Sequence, residues 1–291
     1  MNRLVPPAAD LIEAAVRVAL AEDLGAAGDI TSAATIPADA TATATFGSRK
    51  AGTLAGLPFA RAAFQAVDPS VTFTALRQDG DRLAPGDVVA KVAGNARAVL
   101  AAERVALNYL CHLSGVATAT AALVERVKGT RAIILDTRKT TPGLRAFEKY
   151  AVRCGGGTNH RIGLYDAILI KDNHIAVAGG VAKAIRAARA HAPDKTLEIE
   201  VGSLEELAEA MKETPDIVLL DNMSVADMAE AVRRTAGRAK LEASGNVTVD
   251  TVAAIAATGV DYISSGWITH SAPALDIGLD IEISRSQAPV R

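Results

Sequence analysis

Residues 135–175 read LDTRKTTPGLRAFEKYAVRCGGGTNHRIGLYDAILIKDNHI. This stretch carries seven Lys or Arg against four Asp or Glu, while the whole chain has a formal net charge of −2. Positive charge is therefore gathered here and offset elsewhere. Two short apolar runs, 132–135 and 167–170, frame it, and each ends in charge: Asp136, Arg138 and Lys139 after the first, Lys171, Asp172 and His174 after the second. Buried strands that end in cations are how α/β folds build anion sites, because ligands bind beyond the carboxyl ends of parallel strands. Between the two runs, Gly155, Gly156 and Gly157 stand just before His160 and Arg161. Glycines at such a place let the chain turn with φ > 0 or let backbone approach a ligand closely.

Outward from this stretch toward the C-terminus, strand and helix signals alternate. Apolar runs recur at 197–201, 217–220, 239–241 and 262–263. Helical periodicity lies between most of them, over 180–191, 203–213, 224–236 and 248–258. Ser203 with Glu206 and Ser224 with Asp227 have capping-box spacing. Six βα units joined by short loops predict a parallel barrel. Eight would close a standard one, so this barrel is expected to be incomplete and open.

Outward toward the N-terminus the pattern is different. Helical spacing runs over 11–24 with Asp10 as its expected N-cap, and 25–32 reads as a turn. Residues 41–46 alternate Thr and Ala, as a strand with one exposed face does. A short helix over 58–66 and a strand over 71–76 follow. Residues 78–95, QDGDRLAPGDVVAKVAGN, resemble half of a lipoyl-type barrel-sandwich, but no lysine is displayed at a tight hairpin, so the reading is structural. Residues 98–128 are rich in helix formers, with Gly115 as an expected break between two helices. Arg104, Asn108 and His112 fall at i, i+4 and i+8, one polar stripe. The fold class is thus α/β, with an N-terminal α+β sandwich-like domain (1–115, to which 276–291 return) and a C-terminal open parallel α/β barrel (116–275).

Composition narrows the function. The chain is 49% apolar but only 3% aromatic, which suits parallel strands of Val, Ile and Leu covered by helices. A pI near 6.2 argues against a general nucleic-acid binder. Two cysteines, Cys111 and Cys154, give no disulfide framework. No apolar run approaches the roughly 20 residues of a membrane helix, and Asp10 and Glu13 interrupt any signal-peptide core. The expectation is a protein of the cytoplasm with no nucleic-acid or membrane partner.

Every predicted unit delivers a polar group to one rim: Arg138 and Lys139, Lys171, Glu200, Asp221, Glu242 with Ser244-Gly245-Asn246, and Ser264-Ser265-Gly266. The rim divides by sign. Arg138, Lys139, His160, Arg161 and Lys171 suit carboxylates or phosphates, with Arg giving a bidentate grip. Glu200 and Asp221, with Glu242 as a third candidate, suit a hard cation such as Mg²⁺ that also rides on substrate phosphates. The Gly-bearing ends match the phosphate site that barrels place after their last strands. Singly, Glu200 or Asp221 has the alternative of a structural salt bridge with a neighbouring Lys, and Lys171 that of a Schiff-base lysine, for which anion binding is the simpler role. Together they predict a phosphorylated, metal-bound molecule and a small polyanion as ligands.

The motifs DTRKTTPGLR (136–145) and KYAVRCGGGTNHRIGLYDAILIKDNHI (149–175) resemble quinolinate phosphoribosyltransferases, which are type II phosphoribosyltransferases. EDLGAAGDITS (22–32), ERVALNYLCHLSG (103–115), EIEV (198–201), LLDNM (219–223), EASGNV (242–247) and SSGWITHSAPALDIGLDI (264–281) extend the resemblance over nearly the whole chain. One departure is Trp267 with Ile268, where the family more often has a small residue and Leu. The resemblance implies transfer of a phosphoribosyl group from phosphoribosyl pyrophosphate to quinolinate. The products would be nicotinate mononucleotide, pyrophosphate and carbon dioxide, made with Mg²⁺ by a homodimer. By motif match, Lys139, Lys171, Glu200 and Asp221 carry the chemistry. Thr137, Arg138, His160 and Arg161 join the lysines in holding the substrates. Ser244, Gly245, Asn246, Ser264, Ser265, Gly266 and His270 line the phosphate end. Glu200 and Asp221 engage ribose hydroxyls and the metal, and Arg104 reaches the partner subunit's site. Two competing readings share the fold: a molybdenum-transport-associated pyrophosphorylase acting on another acceptor, and a non-catalytic sensor of phosphoribosyl ligands, which would not need the paired acids.

Overall fold

The computed structural model describes residues 4–284. In chain order the elements begin α1 (Ala9–Leu24), α2 (Ile30–Thr35), β1 (Thr41–Ser48), β2 (Gly52–Thr53) and α3 (Leu57–Val67). Then come β3 (Thr72–Ala75), β4 (Arg82–Leu83), β5 (Val88–Asn95), α4 (Ala96–Arg126), β6 (Ile133–Leu135) and α5 (Arg145–Cys154). They continue with β7 (Ile168–Ile170), α6 (Asp172–Ala178), α7 (Val181–His191), β8 (Leu197–Val201), α8 (Leu204–Ala210) and β9 (Ile217–Asp221). The last are α9 (Val225–Thr235), β10 (Lys240–Ser244), α10 (Val252–Ala257), β11 (Tyr262–Ser264), α11 (Trp267–His270) and β12 (Ile277–Ser284). Two compact units result: one holds the chain to Ala119, Arg153–Gly155 and the chain from Ala272 on, the other Thr120–Val152 and Gly156–Ser271.

The first unit is built on an antiparallel sheet of order β12-β1-β5-β3. The TATATFGS alternation of β1 turns Ala42, Ala44, Phe46 and Ser48 inward and leaves Thr41 and Thr43 exposed, as a half-buried strand requires. Phe46 meets Phe64 of α3 edge-on at 5.9 Å and Phe73 of β3 at 6.2 Å, so three phenylalanines share the core of this unit. β5 pairs on both edges, with β1 and β3. The segment that resembles half a lipoyl-type module thus supplies an internal strand. β12 pairs with β1 from Thr41↔Ser284 to Ser48↔Ile277, as the expected return of the C-terminus requires, while 285–291 lie outside the described residues.

Three local expectations differ. α1 starts two residues earlier than expected, with Ala8 at the N-cap, and Asp10 falls in its first turn, where a carboxylate favours the helix dipole. The 25–32 turn gives way to α2, capped by Asp29, which accepts from the Ser32 N–H at 2.9 Å. Gly115 does not break a helix: α4 runs through it. A Cβ at 115 would come within 2.3 Å of the Pro273 carbonyl oxygen and 2.9 Å of Ala274 Cα. Glycine is there so that residues 273–274 can pass against the helix. By length and hydropathy α4 would also cross a membrane, against the expectation that no run is long enough, but 61% of its most apolar window is buried, as in a core helix.

The second unit is the open barrel: six parallel strands in the order β6-β11-β10-β9-β8-β7, with helices between them. Its two edge strands, β6 and β7, are not paired with each other. Beside β6 the chain after the glycine run makes one parallel bridge, Leu135↔Thr158, in which the Thr158 N–H donates to the Ile134 carbonyl at 2.9 Å. The expected caps form: Ser203 accepts from the Glu206 N–H and Ser224 from the Asp227 N–H, each at 3.1 Å.

Candidate active site

Alternation along the strands sorts the inward side chains into layers. Register fixes the outermost layer at the carboxyl ends: Asp221 lies opposite Ser244, Ser264 opposite Leu135, and Ile170, just before Lys171, opposite Ile199, just before Glu200. These ends surround a cavity of about 340 Å³ lined by Thr137, Arg138, Lys139, His160, Arg161, Lys171, Glu200, Asp221, Ser244 and Ser264. A second cavity of about 560 Å³ shares Thr137, Lys139, Ser244 and Ser264 with the first and adds Gly245, Asn246, Ser265, Gly266 and His270. The residues expected at the site therefore converge at the carboxyl end of one barrel, with one exception. Arg104 belongs to the first unit, exposed on α4.

The division by sign is real but not clean. Lys171 Nζ donates to Glu200 Oε2 at 2.6 Å, so the cationic and anionic arcs meet there. Glu242 lines the same cavity, but from its floor and not its rim. It sits two residues before Ser244 on the same face, 1% exposed, one layer below the cavity mouth. Glu198, two residues before Glu200 and 2% exposed, shares that layer. In the LEIEV strand the two glutamates face the barrel interior at different depths, while Leu197, Ile199 and Val201 are buried on the opposite face.

The cations are crowded. Burial and the charge of Arg138 both disfavour the charged form of Arg161. The Arg138 Nε is buried with no hydrogen-bond partner. An arc of like charges with an orphaned donor is what an incoming anion would complete. Beneath it lies a buried network. Lys149, on α5, pairs with Asp136 just past β6 and donates to the His160 carbonyl at 3.0 Å. Asn159 Nδ2 donates to Asp136 Oδ2 at 2.6 Å, and the His160 N–H donates to Asp136 Oδ1 at 2.9 Å. Burial pushes the Asp136 carboxyl up and the Lys149 ammonium down. Each charge is therefore uncomfortable alone, and the pair holds only because it is matched.

His160 is used up within the protein. Its Nε2 lies 2.9 Å from Glu198 Oε2 and 3.4 Å from Glu242 Oε2, and its Nδ1 accepts from the Arg161 N–H at 2.8 Å. Burial works against a charged ring, and the two carboxylates raise the histidine above its ordinary value by holding the Nε2 proton. The Arg161 contact sets the ring's state nonetheless. A proton on Nδ1 would face that N–H donor, so the ring carries one proton, on Nε2. Burial and the neighbouring Glu242 charge raise the Glu198 carboxyl, while the His160 contact works against the rise.

His160, Glu198 and Glu242 are also the group of possible metal ligands that converges among the described residues, their ligand atoms within 4.8 Å of one another. A proton on Nε2 takes the lone pair that such an ion would need. Glu200 and Asp221 offer hard carboxylate oxygens, without thiolate or imidazole, on the wall of the substrate-sized cavity. That donor chemistry fits Mg²⁺.

On the second cavity, backbone geometry explains the small residues. Gly245 has φ +92, and a Cβ there would come within 2.1 Å of Asn222 Oδ1. Asn222 is a site residue that the motif reading does not single out: it has φ 52, lines the first cavity and accepts from Asn246 Nδ2 at 3.2 Å. Its signal was the Asp221-Asn222 pair, since Asn tolerates the left-handed region. α11 braces the cationic arc, with Thr269 Oγ1 donating to the Lys139 carbonyl at 2.7 Å. Trp267, at 38% exposure, and Val247 to Asp250 also line this cavity.

Comparison with known proteins agrees with this fold. The model of the quinolinate phosphoribosyl transferase N-terminal domain matches residues 29–114, and that of its C-terminal domain matches residues 116–280. A nicotinate-nucleotide pyrophosphorylase [carboxylating] of Mycobacterium leprae is 48% identical over 271 residues, covering 91% of this chain and 95% of the relative. The crystal structure of NadC from Streptococcus pyogenes superposes with a TM-score of 0.92 at 44% identity, over 97% of this chain and all of the other. The nicotinate-nucleotide pyrophosphorylase of Francisella tularensis does so with a TM-score of 0.90 at 41% identity and the same coverage. With both domain models matched in order along one chain, the protein belongs to the quinolinate phosphoribosyl transferase family.

Proposed function

We propose that the protein transfers the phosphoribosyl group of phosphoribosyl pyrophosphate to quinolinate and releases pyrophosphate and carbon dioxide, leaving nicotinate mononucleotide. The observation that carries this is a single cavity in which Arg138, Lys139, Arg161 and Lys171 face Glu200 and Asp221. The relatives bear the names of that reaction. The cations grip the pyridine dicarboxylate and neighbouring phosphates. The Ser244-Gly245-Asn246 and Ser264-Ser265-Gly266 turns, with His270, take the ribose phosphate in the adjoining cavity.

Breaking the bond from ribose C1 to pyrophosphate puts positive charge on the sugar, and Glu200 and Asp221 stabilise it. The pyridine nitrogen then bonds to C1. The resulting pyridinium accepts the electron pair left when the adjacent carboxylate departs as carbon dioxide, and that carbon takes up a proton. Glu200 and Asp221 would hold Mg²⁺, which would supply charge neutralisation for the pyrophosphate. Lys139 and Lys171 add fixed positive charge on the same side.

We further propose a cytoplasmic homodimer in which the partner subunit's Arg104 completes each site. The test is direct. Quinolinate, phosphoribosyl pyrophosphate and Mg²⁺ are incubated with the enzyme, with nicotinate as the control acceptor. Carbon dioxide and nicotinate mononucleotide in stoichiometric amounts are expected. Turnover of nicotinate but not quinolinate, or no carbon dioxide, would overturn the reading.

A further inference from the structure

Every polar atom of His160 is engaged inside the protein. The N–H goes to Asp136, the carbonyl to Lys149, Nδ1 to the Arg161 N–H, and Nε2 to Glu198. A histidine so committed has no hydrogen bond left for a ligand, although it stands in the wall of the first cavity. Its neighbour is placed differently. The Arg161 guanidinium is tied by Nη1 to the Ala167 carbonyl at 3.1 Å and lies close enough to Arg138 to feel its charge.

What holds the histidine is a pair of acids one layer beneath the rim. Glu198 of β8 and Glu242 of β10 come from strands separated by β9, and the ring reaches them from the segment beside the open edge of the sheet. Glu198 Oε1 and Glu242 Oε2 are buried without hydrogen-bond partners. Two nearly buried carboxylates are costly for stability, so their presence calls for a reason other than packing. A third cavity, of about 230 Å³, touches the same cluster together with Thr196, Ile217 and Tyr262 from the other ends of the strands.

We propose that Glu198, backed by Glu242, is a positioning residue. It fixes the imidazole of His160 with its proton on Nε2, so that Nδ1 pins the Arg161 backbone and sets the Arg161 guanidinium for a small dicarboxylate. His160 is thereby a keystone across the gap of the open barrel and not a contact to substrate. This rests on the reading that Arg161 grips the quinolinate carboxylates.

Glu198→Met keeps the volume and removes the acceptor, while Glu198→Gln keeps a carbonyl that can accept from Nε2–H. Steady-state kinetics with each substrate varied, plus thermal unfolding, separate the cases. Glu198→Met is expected to keep the fold with a modestly lowered unfolding midpoint, because it strands the Nε2–H of His160. Its KM for quinolinate should rise about tenfold, the worth of one well-placed hydrogen bond, with the KM for phosphoribosyl pyrophosphate within about twofold. Glu198→Gln should restore most of the quinolinate KM. Glu198→Met combined with His160→Ala should be no worse than His160→Ala alone, since both cut one chain of contacts.

An unchanged quinolinate KM in Glu198→Met, an equal rise for both substrates, or additive losses in the double variant would each overturn the positioning role. Arg161→Ala is the control for the underlying reading. If it leaves the quinolinate KM unchanged, the assignment of Arg161 fails, and the inference fails with it. If it raises that KM while Glu198→Met does not, only the positioning role is wrong.

Discussion

Lys139 and Lys171 are exposed side chains on loops just past strand ends, so removing either leaves the core intact. Lys139→Ala and Lys171→Ala are expected to fold with unchanged unfolding midpoints and to lose on the order of 10²–10³ in kcat, as other preorganised electrostatic groups do. A variant that keeps most of its turnover would remove that lysine from the chemistry. The buried pair below them behaves in the opposite way. Asp136 is 0% exposed and Lys149 2%, and both are strained by burial. Asp136→Ala strands an ammonium in the interior and should lower the unfolding free energy by about 3–5 kcal/mol. Urea denaturation reads this directly, and a loss below about 1 kcal/mol would mean that the lysine finds another partner. The motif DTRK shows both residues' neighbours but not this contrast: Asp136 and Lys139 are three apart in sequence, and only the fold sends one inward and the other to solvent.

Elements were legible where periodicity and caps agreed. The six strands of the barrel stand where apolar runs end in charge, and Ser203 and Ser224 cap α8 and α9 as their spacing requires. They failed where a residue's role depends on a distant neighbour. Gly115 carries the local signature of a helix break, yet its reason is the backbone at 273–274, far along the chain. Gly115→Ala places a methyl group against the Pro273 carbonyl. Overpacking of this kind costs roughly 1–3 kcal/mol, although alanine is the better helix former. Thermal unfolding should therefore show a lowered midpoint, and a raised one would show that the helix propensity wins and the 273–274 segment yields. α5 and α6 were not anticipated at all, because the charged 145–178 region reads first as a ligand site and only then as helix. In α6 the Lys171 N–H donates to His174 Nδ1 at 2.9 Å, so a histidine that sequence reading leaves beside the anion site serves as part of a cap.

At the scale of the molecule, one prediction concerns assembly. Arg104 lies exposed on α4, in the first unit, while the other expected site residues line cavities of the second. If sites are shared across a homodimer, inactive Arg104→Ala and inactive Lys139→Ala subunits should recover activity when mixed. One site in each mixed dimer would then be intact, giving up to about a quarter of wild-type turnover with random exchange. No recovery after subunit exchange has been verified by native mass spectrometry would count against sharing. The sequence by itself determined the fold class, the incomplete barrel and which strand ends supply the rim, because strand periodicity, strand-end charges and glycine turns are local signals that survive without the third dimension. It could not determine depth. Glu198 and Glu200, or Glu242 and Ser244, are neighbours of equal standing in a string of letters. Only strand register and the closing of the sheet around an axis place one of each pair at the mouth, where solvent and substrate reach it, and the other in the layer below, where a carboxylate must find a protein partner.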